Sequence, residues 1–217
     1  MHIAEGEEEF LKEYRIRELL RKYCSFMTYN VYLNPKGDGK DSPINNTTPL
    51  YLKDPKECTD EEYKNFYRDT FMDYKEPLFW IHLNMEYPFR LKGILYFPQV
   101  NKQQVQLEKG QVKLYCNQVF IADNIKEVIP EFLMLLNGVI DCPDIPLNVS
   151  RSFLQNDTQV QKISKHITKK VADKLTSLFN NDRTRFEECW KDISTFIKFG
   201  CIKDNDFYEK VEKILIF

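Results

Sequence analysis

Polar side chains that can bind an anion are concentrated in one short stretch of the chain. From Ile140 the sequence reads IDCPDIPLNVSRSFLQND, so Asn148, Arg151 and Gln155 closely follow two prolines. Proline restricts the backbone, and a fixed guanidinium beside amide donors matches the oxygen atoms of a phosphate group. The stretch therefore predicts a site for phosphate or another anion.

The same stretch also has an ordinary structural interpretation. Arg151 fits a surface arginine, Asn148 fits a turn residue, and Ser150 fits the N-cap of a short SRSFLQ helix. Spacing alone leaves both interpretations open.

Composition and charge exclude several classes of protein. The chain has 217 residues, of which 42% are hydrophobic, and its 31 Lys and Arg against 33 Asp and Glu give a formal net charge of −2. This is enough to build a sizeable core, which excludes disordered, collagen-like and mini-protein classes. A protein that binds nucleic acid mainly by neutralising phosphates would carry a basic excess, so no nucleic-acid partner is expected.

Familiar metal and catalytic motifs are missing from the sequence. Its six cysteines form no CxxC pair, its three histidines have no zinc-finger spacing, and GxSxG, HExxH, P-loop and GxGxxG patterns are absent. We therefore expect no metal site and interpret the cysteines as buried thiols in the reducing cytoplasm. No apolar run approaches the roughly 20 residues that span a bilayer, so no membrane partner is expected.

The amino-terminal half predicts two helices separated by a polar loop. Residues Ile16 to Met27 place apolar side chains in one arc, which predicts a core-facing amphipathic helix. Residues 34–49 contain turn formers and almost no apolar side chain, and so predict a flexible surface loop. Thr59, followed by three acidic residues, predicts the N-cap of a second helix.

The middle of the chain predicts a sheet. Apolar alternation in the stretches PLFWIHLNMEY, FRLKGILYFP and QVKLYCNQVFI predicts neighbouring strands. The connection from Val100 to Gln111 is polar and is compatible with a hairpin or a mobile loop.

The carboxyl-terminal half predicts mostly helices. Pro130 opens the apolar stretch EFLMLLNGVI, which predicts a helix ending near Asn137-Gly138. A long helix from Val160 to Leu178 follows, with an apolar face opposite a face of lysines that we interpret as solvated. Two further helices, at 183–199 and 206–214, are predicted with a break at Gly200.

Mixed strands and helices, with helices on both sheet faces, predict the α/β fold class. The expected architecture is a three-layer α/β/α sandwich followed by a helical connector. The chain stops at the apolar residues ILIF, which is typical of a boundary inside a longer protein, with a docked final helix as the alternative.

Several stretches together resemble the middle segment of the heat shock protein 90 family of chaperones, and in particular its bacterial HtpG type. They are EFLKEYRIRELLRKYCSFMTYNVYL (9–33), TDEEYKNFYRDTFMDYKEPLFWIHL (59–83), LKGILYFP (91–98), VKLYCNQVFIADNIKEVIPEFLMLLNGVID (112–141) and IPLNVSRSFLQND (145–157).

The resemblance implies a part of an ATP-dependent chaperone that assists protein folding. Residues 1–180 would be the large α/β/α subdomain of the middle domain, and residues 181–217 a helical connector truncated before the small second subdomain. The partners implied are client proteins, the amino-terminal ATPase domain and the carboxy-terminal dimerisation domain of a homodimeric, cytoplasmic parent. ATP with Mg²⁺ would bind the full-length protein, and no cofactor is expected on this chain, which would not be an enzyme on its own.

The resemblance also implies roles for four residues. Arg151 stands where the family's arginine contacts the γ-phosphate of ATP, and Asn148 and Gln155 stand where its supporting residues lie. Tyr51 stands in LYLK where the family has a Trp in LWTR that is associated with client contact, although core packing or plain exposure remains an alternative for a tyrosine. Ser152 departs from the glutamate that is common in the family, which leaves the hydrogen-bond network of this loop open.

Two alternatives from other classes remain. The chain could be a non-catalytic scaffold for protein interactions, in which the polar loop is only a turn. A self-contained phosphotransfer enzyme would need a metal-binding acidic cluster near a phosphate loop, and the sequence shows none.

Overall fold

A computed structural model of the chain describes residues 4–33, 42–99, 110–124, 129–145 and 158–216. The described residues form a five-stranded mixed sheet with helices on both faces, followed by a helical carboxyl-terminal stretch, which confirms the predicted fold class. The helices are α1 (Glu13–Tyr23), α2 (Asp60–Phe71), α3 (Thr158–Asn181), α4 (Arg183–Lys203) and α5 (Asn205–Val211). The strands are β1 (Phe79–Met85), β2 (Leu91–Phe97), β3 (Val112–Cys116), β4 (Val119–Asp123) and β5 (Asn137–Asp141).

The strands lie in the order β1-β2-β5-β3-β4. Neighbouring strands are antiparallel except β3 and β5, which are parallel. Ile94 of β2 faces Val139 of β5, and Tyr115 of β3 faces Asp141 of β5. The last of the described strands therefore lies at the centre of the sheet, and residues 146–157 follow it in the sequence.

Apolar side chains fill both faces of the central strands. On one face Leu91 and Leu95 of β2 join the core formed with α3, α4 and α5. On the other face Ile94 and Tyr96 join an aromatic core with α2, in which Tyr67 is buried. The sequence of a strand that is covered on both faces is a nearly continuous run of apolar residues, as in LKGILYF.

One predicted strand is a hairpin in the structure. The stretch QVKLYCNQVFI forms β3 and β4, joined by a turn at Asn117 and Gln118. Both turn residues have positive φ, 50° and 65°, which is the conformation of a two-residue hairpin turn. Asn tolerates this conformation, but Gln gives no such signal, and the turn was not predicted.

The predicted helix after Pro130 is wrong in its second half. Residues Glu131–Leu135 form a 3-10 helix, and Asn137–Asp141 form β5. Gly138 does not end a helix. It allows close packing instead, because a Cβ atom there would lie 2.6 Å from a methyl carbon of Leu95. A short apolar run does not distinguish a buried strand from a buried helix.

The long helix is confirmed, and the predicted break at Gly200 is wrong. Six apolar residues of α3 are fully buried, and its lysine face is exposed, as expected. Helix α4 continues through Gly200, where a Cβ atom would lie 2.7 Å from the ring of Phe207. The chain turns at Asp204 instead, whose side chain accepts a 2.9 Å hydrogen bond from the N–H of Phe207 and caps α5.

The predictions for the two amino-terminal helices agree with the structure to different degrees. Thr59 caps α2 as predicted, and a reciprocal hydrogen bond from its N–H to Glu62 completes a capping box. Helix α1 forms, but none of its residues is fully buried, because it packs beside the edge strand β4 rather than under the sheet. In the loop after it, Asn45 is buried and its amide donates to the carbonyl oxygens of Met27 and Tyr29, so that part of the loop is fixed.

Candidate functional site

The predicted anion-binding residues Asn148, Arg151 and Gln155 lie outside the described residues, as does Ser152. The structure does describe the segments on both sides of them. Strand β5 and the turn after it precede residues 146–157, the stretch that the resemblance identifies as a loop, and α3 follows them.

The segment before the loop is held by the centre of the sheet. The N–H of Cys142 donates to the carbonyl oxygen of Tyr115 over 3.0 Å, and the N–H of Ile145 donates to the carbonyl oxygen of Cys142 over 3.3 Å. Cys142 is fully buried, and burial raises the pKa of its thiol to about 12, so the thiol stays neutral. This segment is therefore fixed up to Ile145.

Arg90, which precedes β2, binds the same segment through the side chain of Asp144. Its N–H donates to the Oδ2 atom of Asp144 over 2.6 Å, and its guanidinium donates to the Oδ1 atom over 3.0 Å. These two hydrogen bonds hold the pKa of the Asp144 carboxyl below its ordinary value. A carboxylate bound at both oxygens fixes the direction in which the chain leaves the sheet.

The segment after the loop is the buried face of α3. Val160 and Ile163, in the first two turns, are fully buried against the sheet. Lys162, between them, points away from the core and is exposed. Packed structure therefore lies directly before and directly after residues 146–157.

A buried carboxylate at the end of β5 joins three parts of the chain. The Oδ2 atom of Asp141 accepts hydrogen bonds from the hydroxyl of Tyr51 over 3.1 Å and from the N–H of Gln118 over 2.8 Å. The side chain of Gln118 donates in turn to the carbonyl oxygens of Phe26 and Thr47. The β3–β4 turn, the segment around Tyr51 and the strand before the loop are therefore linked through one side chain.

The expectation that Tyr51 contacts clients is corrected by its position. Its side chain is fully buried, and its ring packs edge-on against Phe26 at 5.5 Å between centroids. Burial and the Asp141 carboxylate both raise the pKa of its hydroxyl, so it remains a hydrogen-bond donor. Tyr51 is a core residue, and its side chain presents no surface to another protein.

Asp141 predicts a pH dependence of stability. Burial raises the pKa of its carboxyl above the ordinary value of 3.8, so the folded protein holds this proton more tightly than the unfolded chain does. The contribution of Asp141 to the free energy of unfolding therefore falls as pH rises from 3.8 through the raised pKa.

Urea denaturation of the wild type and Asp141→Asn at several pH values tests this dependence. We expect the stability of the Asn variant relative to the wild type to increase between pH 4 and pH 7, because all other titrating groups cancel in the difference. A difference that stays constant across this range would contradict the raised pKa.

Sequence reasoning missed Asp141 and Gln118 as structural residues. An acidic residue directly after the apolar run GVI is the one signal that marked Asp141, since a charge at the end of a buried strand needs partners. Nothing in the sequence singles out Gln118, whose role follows from the turn geometry.

The described ranges contain no group of three or more His, Cys, Asp or Glu side chains arranged to hold a metal ion. All six cysteines lie in these ranges and are free thiols. None of the helices described is both long and apolar enough to cross a membrane.

Comparison with known proteins identifies the family. The family model described as Hsp90 protein matches residues 36–217. The chain is 50% identical over 226 residues to the chaperone protein HtpG of Bacteroides thetaiotaomicron and to that of Porphyromonas gingivalis, with all of this chain and 33% of each relative covered. It is 33% identical to the chaperone protein HtpG of Fusobacterium nucleatum, of which it covers 36%.

The chain thus spans about a third of the length of these curated relatives. The matched residues include the whole of the sheet, α2 to α5, and the loop that carries Arg151. On the family model and on identity over its full length, the chain belongs to the Hsp90 family.

Proposed function

We propose that the chain is the middle segment of an ATP-dependent molecular chaperone and that it supplies Arg151 to the γ-phosphate of ATP held by the amino-terminal domain. The observation that carries this proposal is 50% identity, over the whole chain, to chaperones three times its length. Asn148 and Gln155 support the arginine in this proposal. In the full-length protein, ATP binds with Mg²⁺, and the parent is a cytoplasmic homodimer that binds client proteins.

The chemistry of phosphoryl transfer suits such a role. The transition state spreads negative charge over the transferred group, so catalysis needs positioning and charge stabilisation more than covalent chemistry. A guanidinium that arrives when two domains close would switch hydrolysis on only in the closed state. Domain closure then controls the reaction.

The ends of the loop support this mechanism. Ile145 and Val160 are buried, and Arg90 holds Asp144, so the segments on both sides belong to the rigid domain. Movement of the whole domain toward the nucleotide would carry the loop with it. Fixed segments on both sides lower the entropic cost of bringing Arg151 to the nucleotide.

The experiment that tests the proposal measures ATP turnover by the parent protein's nucleotide-binding domain, alone and joined to this chain in one polypeptide. We expect the joined form to turn over ATP at least ~10-fold faster, because it adds the arginine. The joined form carrying Arg151→Ala is the control and should fall back to the rate of the domain alone. Equal rates for the domain alone and the joined form would favour a non-catalytic scaffold.

The proposal also places the nucleotide pocket outside this chain. Isothermal titration calorimetry of residues 1–217 with ATP and Mg²⁺ is therefore expected to show no binding in the micromolar range, and the chain alone should show no measurable ATPase activity. Tight nucleotide binding by this chain would contradict the assignment of the pocket to another domain.

A further inference from the structure

A cleft of about 310 Å³ lies beside the edge strand β1. The 3-10 helix Pro55–Glu57 forms one wall, and α3 forms the other with His166 and Lys170. This volume lies at the lower end of the range for small-molecule sites in proteins. None of the lining residues belongs to the loop that carries Arg151.

The rim of the cleft is positively charged. Lys56 and Lys170 line it from two different elements, and in the described part of the chain neither ammonium group has an acidic partner within 4.0 Å. The one acidic lining residue is Asp54, whose Oδ1 atom accepts the N–H of Lys56 over 2.9 Å. Two cations against one carboxylate leave the cleft with a net positive charge.

Two histidines stand inside the cleft in fixed positions. His82 is held at both ring nitrogens, by the hydroxyl of Tyr63 at 2.7 Å and by the carbonyl oxygen of Tyr51 at 3.3 Å. His166 packs edge-on against the ring of Phe89, with 5.8 Å between centroids. Neither ring nitrogen of His166 has a hydrogen-bond partner among the described residues, so one N–H is free to donate.

The charged side chains around His166 indicate the sign of the electrostatic potential in the cleft. Its pKa is lowered, first by burial and then by Lys170 and Lys169, and Asp173 opposes them weakly. The other charged side chains that line the cleft are Lys56 and Asp54, whose opposite charges offset each other. The remaining titratable side chain is His82, and burial lowers its pKa as well. An anion placed here would remove the repulsion between the lysines and a protonated His166.

The floor of the cleft is apolar. Its accessible apolar surface comes from Met85 and, at the Pro55–Glu57 wall, from Pro55, both half-buried, whereas Leu83 and Leu91 also line the cleft but are already buried in the core. A simple inorganic ion would leave this surface unused, whereas a ligand with an apolar body would cover it and gain free energy from burial.

We propose that this cleft binds a small organic anion, with its carboxylate or phosphate group between Lys56, Lys170 and His166 and its apolar body on the floor beside β1. The prearranged walls lower the entropic cost of binding, because His82 and His166, which line the cleft, are already held in place.

NMR of the histidine ring protons tests this proposal directly, because the 217-residue chain has only three histidines and His2 serves as an internal control. The probes are phenyl phosphate, inorganic phosphate and benzyl alcohol, which present the anion with an apolar body, the anion alone and the body alone. We expect phenyl phosphate to shift the His166 signals and raise the pKa of His166, with a dissociation constant at least ~10-fold below that of inorganic phosphate. Benzyl alcohol should shift them little.

Two variants separate the cleft from general charge effects. Lys56→Gln, on the wall opposite His166, should raise the dissociation constant of phenyl phosphate at least ~3-fold, since it removes one of two cations. Lys162→Gln, an exposed lysine of α3 outside the cleft, should leave it unchanged. Three results would overturn the proposal: no shift of His166 with phenyl phosphate, equal affinity for phenyl phosphate and benzyl alcohol, or equal effects of the two variants.

Discussion

Arg151→Ala in the full-length protein is expected to lower steady-state ATP turnover at least ~10-fold, since arginine fingers accelerate phosphoryl transfer by about 10³- to 10⁵-fold. The dissociation constant for ATP should change by less than ~3-fold, because in the proposed function the nucleotide pocket lies in another domain and the arginine acts on charge that develops during the reaction. A coupled assay for ADP release gives the turnover, and calorimetry gives the affinity.

Lys162→Ala is the matched control for this prediction. Lys162 lies in the first turns of α3, just after the same loop, and its side chain is exposed. Removing its charge should leave turnover within ~2-fold of the wild type, since an exposed charge acts weakly through solvent. Turnover of the Arg151→Ala protein at half the parental rate or more would show that the arginine does not have this role.

Gly93→Ala is expected to cause a large loss of stability, about 3 kcal/mol or more of the free energy of unfolding. Gly93 lies in β2 between Leu83 of β1 and Ile140 of β5. A Cβ atom there would collide with the carbonyl oxygen of Val139 and would lie 3.1 Å from the Cα atom of Ile140. These are backbone atoms of the central strand, so the clash cannot be relieved by a side-chain rotation.

Thermal and urea denaturation of the 217-residue chain measure this effect, and a loss of 3 kcal/mol corresponds to a fall of roughly 10 °C in Tm for a domain of this size. Asn84→Ala, at an exposed position of the neighbouring strand β1, should change the free energy of unfolding by less than ~0.5 kcal/mol. Equal stability of the Gly93→Ala protein and the wild type would show that β2 and β5 do not pair as closely as described.

Patterns with a strong period were predicted correctly from the sequence. The apolar face of α3 repeats over about five turns, and its buried positions include Ile163, Ile167 and Val171, as expected. Thr59 with Glu62 carries its capping chemistry in the sequence itself, and the structure forms both hydrogen bonds. In both places local physics and tertiary packing favour the same conformation.

The errors occur where tertiary packing decides. Gly138 and Gly200 look like helix ends, but each lies where a neighbouring side chain leaves no room for a Cβ atom. Helix α1 has an amphipathic pattern but covers an edge of the sheet, because a hydrophobic face does not specify how much of it a partner will cover. Contacts between distant parts of the chain determine all three.

The same distinction between local patterns and long-range contacts applies to the candidate site. Arg151 was singled out by its residue type and its neighbours, and family resemblance rather than spacing gave it a role. The support of the loop could not be predicted, because Arg90 and Asp144 are 54 residues apart in the sequence and Tyr51 and Asp141 are 90 apart. No periodicity or motif links such pairs, and only the folded sheet brings them together.

Single-turnover measurements on the full-length protein with bound radiolabelled ATP show whether Arg151 accelerates the hydrolysis of ATP. This experiment separates the chemical step from nucleotide binding and product release. We predict that Arg151→Ala slows the chemical step at least ~10-fold and leaves the rate of ADP release unchanged. A chemical step of unchanged rate in the Arg151→Ala protein would show that Arg151 does not act on the γ-phosphate.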